Sequence, residues 1–245
     1  MKGNYLSLDL LRVHGGWQSR RGNARSINCD GGVVSISRNC MVAAIFDGVG
    51  QTQPVQSYVQ FWMRYFAKAA LRLARFSVQM FRHFIEQGQY LGRASGYFWE
   101  TLAYAAIVFD FEAHKAWAIS CGDCRVGGLC SDGTIDWLTP VHTGANAFGE
   151  PFERENARLN QRHLLTKSLN TRRFCEPAIL DIEISQAESA VLATDGFWLE
   201  HRLLGVAVDE LEYDASIWVP HASREMRSDF IDRANFILYR CCGAG

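Results

Sequence analysis

The chain lacks an excess of charge of either sign. Its 245 residues include 25 lysines and arginines against 26 aspartates and glutamates, which gives a formal net charge of −1. A protein that binds nucleic acid by neutralising phosphates needs a concentrated positive face. We therefore expect no nucleic-acid partner, and a protein or a small molecule instead.

Long apolar runs are also missing. The N-terminal stretch "MKGNYLSLDLLRVHGG" is too polar for a signal peptide. The most apolar helical region, residues 54–85, is interrupted by Arg64, Lys68, Arg72 and Arg75, and charges at this density argue against a membrane span. We therefore expect a soluble, cytoplasmic protein with no membrane partner.

Three common catalytic motifs are absent. No cysteine is followed six residues later by arginine, and neither H-E-x-x-H nor G-x-x-x-x-G-K-S/T occurs. These absences exclude a cysteine-nucleophile phosphatase loop, the common zinc-protease helix and a P-loop for nucleotides.

The chain has eight cysteines but no clear cysteine motif. Without a secretion signal we expect reduced thiols, several of them small core residues. Cys121 and Cys124 form one C-x-x-C, which is compatible with half a zinc site, a redox pair or two buried thiols. Cys241 and Cys242 do not complete a zinc site at the usual spacing, and the strand-like alternation around Cys121 favours buried thiols.

Hydrophobic periodicity predicts the order of the elements. We expect strands within 5–13 and a hairpin over 31–46 that turns at Arg38 and Asn39. One or two amphipathic helices follow over 54–87, and the glycines at 88, 92 and 96 mark their end. The aromatic stretch "YVQFWMRYF" in these helices is assigned to core packing rather than to a partner surface.

The second half of the chain is predicted to be rich in strands. Three strands are expected between 101 and 140, with tight turns at 112–115 and 131–133. Residues 141–163 read as a flap-like surface loop, and "AILDIEI", "AVLAT" and "NFILYR" are later strands. Regular alternation of strands and helices is missing, so we expect a single α+β domain over 1–245 rather than a doubly wound parallel sheet.

Four aspartates stand at the ends of these apolar strands. Asp47 follows "AAIF", Asp123 follows "AWAISCG", Asp195 follows "AVLAT" and Asp232 precedes "RANFILYR". Carboxylates that converge repel one another unless a cation lies among them, and Mg²⁺ and Mn²⁺ prefer oxygen ligands. The alternative is that each aspartate caps a turn. Four in equivalent places favour a metal site.

Five short motifs, "RSINCD", "AAIFDGVG", "AISCGDCR", "AVLATDGFW" and "DRANFILYR", resemble in order and spacing those of metal-dependent serine/threonine protein phosphatases, the type 2C or PPM family. The resemblance spans residues 25–240 and is to bacterial-type members. It implies two packed antiparallel β-sheets flanked by helices, an α-β-β-α sandwich, with a two-metal centre in the cleft between the sheets.

The resemblance also implies roles for individual residues. Arg25 matches an arginine that holds the substrate phosphate, although it could instead be a solvated arginine of the basic run "RRGNAR". Asp47 matches the carboxylate that bridges two metals, and Gly48 the glycine whose carbonyl is a ligand; an absent Cβ would let the main chain approach the metal. The remaining metal positions are Asp30, Asp195 and Asp232, with Asp123 at a third, weaker site.

The implied cofactors are two Mg²⁺ or Mn²⁺ ions, with a weak third ion as an option. The implied reaction is hydrolysis of phosphoserine or phosphothreonine in a phosphoprotein, a kinase target, by a water that the ions activate, with no covalent enzyme intermediate.

Several residues depart from the family pattern. Val49 stands where many eukaryotic members, but often not bacterial ones, have a histidine, a candidate general acid worth typically 10²–10⁴-fold. Cys29 stands where the family usually has a glutamate or another polar residue, and Leu199 stands where some members have an aspartate of the third metal site. Arg233 stands in place of the usual asparagine. These departures leave open a weak or inactive pseudophosphatase that binds a phosphoprotein or acts as a scaffold. A chance match on an unrelated α+β protein is the remaining alternative.

Overall fold

Two β-sheets packed face to face form the centre of the molecule, seen in a computed structural model that describes residues 16–73, 75–183, 189–220 and 235–240. The strand expected within 5–13 lies outside these residues. The strands and helices are β1 Gly16–Arg20, β2 Asp30–Ile36, β3 Cys40–Gly48, α1 Gln53–Phe66, α2 Ala69–Arg72, α3 Val78–Ala94, β4 Thr101–Asp110, β5 Lys115–Cys121, β6 Arg125–Leu129, β7 Ile135–Trp137, β8 Leu169–Asn170, β9 Ala178–Ile182, β10 Ala190–Ala193, β11 Ala215–Val219 and β12 Phe236–Arg240.

The strands divide between a five-stranded and a seven-stranded sheet. The first has the order β1-β11-β10-β6-β7, and the second has the order β12-β2-β3-β4-β5-β9 with β8 paired to β4. Every pairing between the described strands is antiparallel except β12 with β2, which is parallel. The predicted α+β sandwich is confirmed, and its last strand is the exception to antiparallel pairing.

Alternation along β3 decides which side chains face the other sheet. Cys40, Val42, Ala44 and Phe46 join the core under the helices. Met41, Ala43 and Ile45 join the core between the two sheets. Because side chains alternate along a strand, Asp47 continues the inter-sheet series, and Gly48 lies on the helix side.

Helices α1 to α3 cover the outer face of the seven-stranded sheet. Tyr58, Trp62 and Phe66 of α1 are fully buried, so the assignment of the aromatic stretch to the core is confirmed. The helix break predicted at glycines 88 and 92 is wrong, because α3 continues to Ala94. A Cβ at Gly88 would collide with the Trp62 ring, and the glycine instead allows the two helices to pack closely.

Four strands, one more than predicted, lie between residues 101 and 140. The chain passes from the seven-stranded sheet to the five-stranded sheet between β5 and β6. Gly122, with a φ of 101°, makes this passage in a backbone conformation that favours glycine. The passage places Asp123 at the edge where the two sheets meet.

The flap-like segment 141–163 has local order of its own. It contains short 3₁₀ turns at Gly144–Asn146, Asn156–Arg158 and Asn160–His163. Arg154 anchors it by donating a hydrogen bond to the carbonyl of Leu204, at 3.0 Å. Leu204 directly follows a π-helical segment, Gly196–Leu203, on the outer side of the five-stranded sheet. Within the described residues, the helices are all too short or too polar to cross a membrane.

Candidate metal centre

Two aspartates of neighbouring strands begin the candidate site. Asp30, the first residue of β2, is the register partner of Asp47 on β3. Both side chains lie on the side of the seven-stranded sheet that faces the other sheet. Side chains alternate along a strand, and Asp30 is in step with the inter-sheet residue Val34, as Asp47 is with Ile45. Antiparallel register therefore brings together two carboxylates that are far from adjacent in the chain.

Asp30 is linked to the opposite sheet. Its Oδ2 accepts a hydrogen bond of 2.9 Å from the hydroxyl of Thr194, just after β10, and this hydroxyl accepts one from the Ser216 amide on β11. Asp30 is 1% exposed, and its Oδ1 is buried without a hydrogen-bond partner. A buried carboxylate oxygen with no donor is costly, so this atom is available for a ligand.

Asp214 joins this group although sequence reasoning missed it. It directly precedes β11 and is 5% exposed. Its two carboxylate oxygens accept hydrogen bonds from the amides of Gly22 at 3.0 Å and Cys29 at 2.8 Å. The signal was available, because "YDASIWV" places an aspartate at the end of an apolar strand. Asp232, a metal position that the motif resemblance implies, lies outside the described residues and stays a prediction.

Asp195 and Asp123 complete the cluster at its more accessible side. Asp195 follows Thr194 at the end of β10, and Asp123 lies in the turn between β5 and β6. The indole of Trp198 donates a hydrogen bond of 2.7 Å to the carbonyl of Asp123 and joins the two segments. Asp47, Asp123 and Asp195 are partly exposed, whereas Asp30 and Asp214 are buried.

The five aspartates share one electrostatic environment. Burial, and then the neighbouring Asp195 and Asp30, raise the pKa of Asp47 well above its usual range. Burial and then Asp214 do the same for Asp30, while burial and Asp195 raise the pKa of Asp123 to about 8. Burial also raises the pKa values of Asp195 and Asp214. The cluster is short of positive charge.

These residues fit a hard divalent cation. The donors are carboxylate oxygens, and one of them, Oδ1 of Asp30, has no other partner. Among the described residues, however, no three His, Cys, Asp or Glu side chains come close enough to enclose an ion as they stand. Mg²⁺ is commonly held by one or two carboxylates and keeps several waters. An open arrangement of this kind suits such an ion better than a dense cage.

Two arginines beside the carboxylates pack against one aromatic ring. The Cζ atoms of Arg25 and Arg162 lie 4.7 Å and 5.3 Å from the ring centroid of Tyr213. Both guanidinium groups act to lower the pKa of Asp195, which places their charge at the cluster. Nη1 of Arg162 is buried without a hydrogen-bond partner. Arg25 therefore lies beside the carboxylate cluster, together with Arg162, which the sequence did not single out; phosphate binding by Arg25 stays a prediction.

Backbone contacts hold Tyr213 and Asp214 in place. Oε2 of Glu200 accepts hydrogen bonds from the amides of Glu212 at 3.0 Å and Tyr213 at 3.1 Å. Gly22 and Gly196 lie against the backbone of residues 212–214 so closely that a Cβ on either would collide with a carbonyl group. These two glycines therefore allow the Arg25 loop and the Asp195 turn to meet the start of β11.

Gly48 has a packing role that differs from the expected one. Its amide donates a hydrogen bond of 3.1 Å to the carbonyl of Cys29. A Cβ at this position would lie 2.5 Å from Cγ1 of Val55 on α1, because the Gly48 position faces the helix. The close approach that requires glycine is therefore that of α1 to β3. Its carbonyl as a metal ligand stays a prediction.

Replacement of Gly48 by alanine tests this explanation. We expect Gly48→Ala to lower the free energy of unfolding by roughly 1–3 kcal/mol even in the presence of a chelator, because the added methyl overpacks the helix contact. Val55→Ala should make room, so the double variant should be more stable than the sum of the two single losses. Urea unfolding measures these values. Gly128→Ala is the control, because a Cβ there would meet only Ser189 Oγ at 3.9 Å, an ordinary van der Waals contact. A loss that appears only with Mn²⁺ present would favour the metal explanation instead.

The residues that depart from the family pattern occupy different environments. Val49 is 49% exposed and supplies no acid. Cys29 is buried, and burial followed by Asp214 raises the pKa of its thiol to about 12, so this side chain is neutral. Leu199 is 3% exposed within the apolar core of the five-stranded sheet and offers no donor for a third ion. Arg233 lies outside the described residues.

Cys121 and Cys124 do not form a metal or redox pair. Both are buried, but Cys121 belongs to the core under the helices and Cys124 to the core between the sheets. Burial raises the pKa of the Cys121 thiol to about 12. The assignment of both residues as buried thiols is confirmed.

Comparison with known proteins gives a likeness of structure. No protein-family model matches the chain, and no curated protein matches it in sequence. The serine/threonine phosphatase Stp1 from Staphylococcus aureus is similar in structure with a TM-score of 0.63 and 15% identity, over 86% of this chain and 96% of that one.

Two mycobacterial proteins give the same result. The serine/threonine phosphatase PstP/Ppp from Mycobacterium tuberculosis has a TM-score of 0.64 at 19% identity, over 84% of this chain and 97% of that one. The PPM Ser-Thr phosphatase MsPP from Mycobacterium smegmatis has a TM-score of 0.62 at 16% identity, over 86% and 99%. The fold implied by the sequence motifs is therefore confirmed as that of bacterial PPM-type phosphatases.

Proposed function

We propose that the chain is a metal-dependent phosphatase that hydrolyses phosphoserine and phosphothreonine in proteins. The observation that carries the proposal is the convergence of five aspartates beside two arginines stacked on Tyr213. The carboxylates suit divalent cations, and the guanidinium groups suit the oxygens of a phosphate. The fold shared with bacterial serine/threonine phosphatases supports the same reaction.

Mg²⁺ or Mn²⁺ would be held by Asp30, Asp47, Asp195 and Asp214, with Asp123 as a weaker candidate. When bound, two such ions supply a water of lowered pKa as the nucleophile and neutralise charge on the phosphate. The chain orients Asp30 through the Thr194 hydroxyl, which donates to it, and Asp214 through the amides of Gly22 and Cys29. These hydrogen bonds oppose the rise in pKa that burial causes.

Arg25 and Arg162 bind and orient the phosphate in this proposal. Both guanidinium groups pack against the Tyr213 ring beside the cluster, and they can donate charge-assisted hydrogen bonds to phosphate oxygens. Arg162 belongs to the flap-like segment 141–163, so this segment would contact the substrate and would also bind its phosphate through Arg162. Binding the phosphate would also satisfy the unpartnered Nη1 of Arg162.

At position 49 the protein supplies no general acid for departure of the alcohol leaving group. The side chain after the Asp47–Gly48 pair is the apolar Val49, so no acid there can protonate the leaving oxygen. General acid catalysis is typically worth 10²–10⁴-fold. We therefore expect an aryl phosphate, whose leaving group is weakly basic, to react faster than a phosphothreonine peptide.

Hydrolysis assays test the proposal. Purified protein with Mn²⁺ should hydrolyse p-nitrophenyl phosphate and, more slowly, a phosphothreonine peptide, and a chelator should abolish both reactions. The double variant Asp47→Asn, Asp195→Asn is the blank. Rates equal to that blank with both substrates would overturn the proposal.

The neutral thiol of Cys29 favours a second candidate function. Cys29 lies beside Asp30 and Asp214 and is a protonated thiol, whereas the family pattern usually has a glutamate or another polar residue at this position. A thiol weakens the case for tight metal binding. A pseudophosphatase would bind a phosphoprotein without turnover. Calorimetry separates the two, because two Mn²⁺ bound with micromolar affinity would contradict the pseudophosphatase.

A further inference from the structure

A basic groove lies on the outer helical layer, away from the carboxylate cluster. One hollow of about 280 Å³ is lined by Phe61, Arg64, Tyr65, Lys68, Arg72, Ser95 and Tyr97. A second, of about 500 Å³, is lined by Arg72, His83, Glu86, Gln87, Tyr90 and Leu91. Arg72 borders both hollows, so they form one surface, which we call the basic groove.

The positive charge of the groove is not neutralised by the protein. Arg64 lies in the last turn of α1, Lys68 lies in the break between the helices, and Arg72 ends α2; all three are exposed and line the smaller hollow. Among the described residues, no carboxylate lies within 4.0 Å of these three cations. Glu86 is the single acidic residue of the groove, and it pairs with Arg82 at 3.1 Å. The net charge of the whole chain is only −1, so this is a local concentration.

The floor of the groove is aromatic and firmly held. Tyr65 is 9% exposed, and its hydroxyl donates a hydrogen bond of 2.7 Å to the carbonyl of Phe84. The Arg72 guanidinium lies over the Tyr65 ring at 5.1 Å. The hydroxyl of Tyr97 donates to the carbonyl of Ser57. Arg72 is therefore oriented before any partner binds.

The break between α1 and α2 is anchored to the sheet beneath it. The hydroxyl of Ser35 on β2 donates a hydrogen bond of 2.7 Å to the carbonyl of Ala67 and accepts one from the Ala70 amide at 3.2 Å. The hydroxyl of Ser37 donates to the carbonyl of Ala70. These buried contacts fix the position of α2 relative to α1, and with it the relative positions of Arg64, Lys68 and Arg72.

We propose that the basic groove is a docking site for an acidic segment of a protein partner, with apolar residues between its acidic ones. The cations would pair with the acidic side chains, and the aromatic floor would receive the apolar ones. The groove is concave, so a flat anionic membrane would reach its rim but not its floor. Arg64 lies about 17 Å along α1 from Gln53, near the end of β3, so the partner contact is separate from the carboxylate cluster.

Binding of a defined probe tests the proposal. A fluorescein-labelled peptide in which Glu alternates with Leu should bind the full chain in an anisotropy assay, and binding should weaken as salt is raised. The same peptide with Gln in place of Glu should not bind. Lys68→Gln with Arg72→Gln should weaken binding about tenfold, because two facing charges are lost. The matched control Arg38→Gln with Lys115→Gln removes two exposed cations elsewhere and should change it less than about twofold.

Other results would overturn the proposal. Equal weakening in the two double variants would show nonspecific attraction. Binding to phosphatidylglycerol vesicles without binding of the peptide would assign the groove to a membrane surface. Self-association that disappears in the Lys68, Arg72 variant, seen by sedimentation without peptide binding, would assign it to a second copy of the chain. Thermal melting of both variants checks that each remains folded.

Discussion

Asp30→Asn should abolish metal-dependent hydrolysis while making the metal-free protein more stable. The amide oxygen can still accept the hydrogen bond from Thr194, so the local structure is kept. Burial and neighbouring carboxylates disfavour the charged form of Asp30, and the neutral amide removes that penalty. The unpartnered Oδ1, proposed here as a metal ligand, is lost. We expect hydrolysis to fall by at least about 10²–10³-fold, the range in which removal of one transition-state contact acts.

Thermal stability with and without metal distinguishes a role of Asp30 in metal binding from a purely structural role. In a chelator, Asp30→Asn should melt above the unmodified protein, and addition of Mn²⁺ should raise its melting temperature less than that of the unmodified protein. Asp181→Asn, an exposed carboxylate on β9, is the control for both measurements. A variant that melts lower and keeps its response to Mn²⁺ would show that Asp30 has only a structural role.

The same assays decide between Asp214 and Asp232 as the fourth carboxylate. Asp214 is observed beside Cys29 and Gly22, whereas Asp232 was chosen from sequence alone. We expect Asp214→Asn to lose both hydrolysis and the Mn²⁺ response. If only Asp232→Asn does so, the choice made from sequence is correct, and Asp214 serves to hold the loop at Gly22.

Arg162→Ala should lower kcat/KM by about 10- to 100-fold, because a charge-assisted hydrogen bond to phosphate is worth roughly 1.5–3 kcal/mol. Arg25→Ala should have an effect of similar size. Arg162→Lys should recover only part of the loss, since lysine lacks the planar fork. Steady-state kinetics with p-nitrophenyl phosphate measures each value.

Control variants test whether the effect of Arg162→Ala depends on the position of its guanidinium group beside the cluster. Arg158→Ala removes an exposed arginine of the same segment and should leave kcat/KM within about twofold, the scale of a solvated charge. Tyr213 is a positioning residue, so Tyr213→Phe should be nearly neutral because the ring remains, and Tyr213→Leu should raise KM more than it lowers kcat. An Arg162→Ala variant equal to Arg158→Ala would remove Arg162 from the site.

The strand ends of the site were predictable because their signal is local. A run of apolar residues followed by Asp-Gly marks Asp47 and Asp195 in the sequence, and strand alternation then requires Asp47 to share the side of Ile45. Asp214 carries a similar signal in "YDASIWV", but competing aspartates near later strands hid it. Arg162 carried no signal, because an arginine in a polar loop looks like any solvated charge.

The sequence by itself determined the α+β class, the aromatic helical layer and the placement of single carboxylates at strand ends, because period-two and helical patterns are properties of neighbouring residues. Only the tertiary structure decided which groups meet. The hydrogen bonds from Thr194 to Asp30 and from the Cys29 amide to Asp214 join residues 164 and 185 positions apart. Such pairings arise from the packing of two sheets, and Tyr213 brings Arg25 and Arg162 together through the same packing.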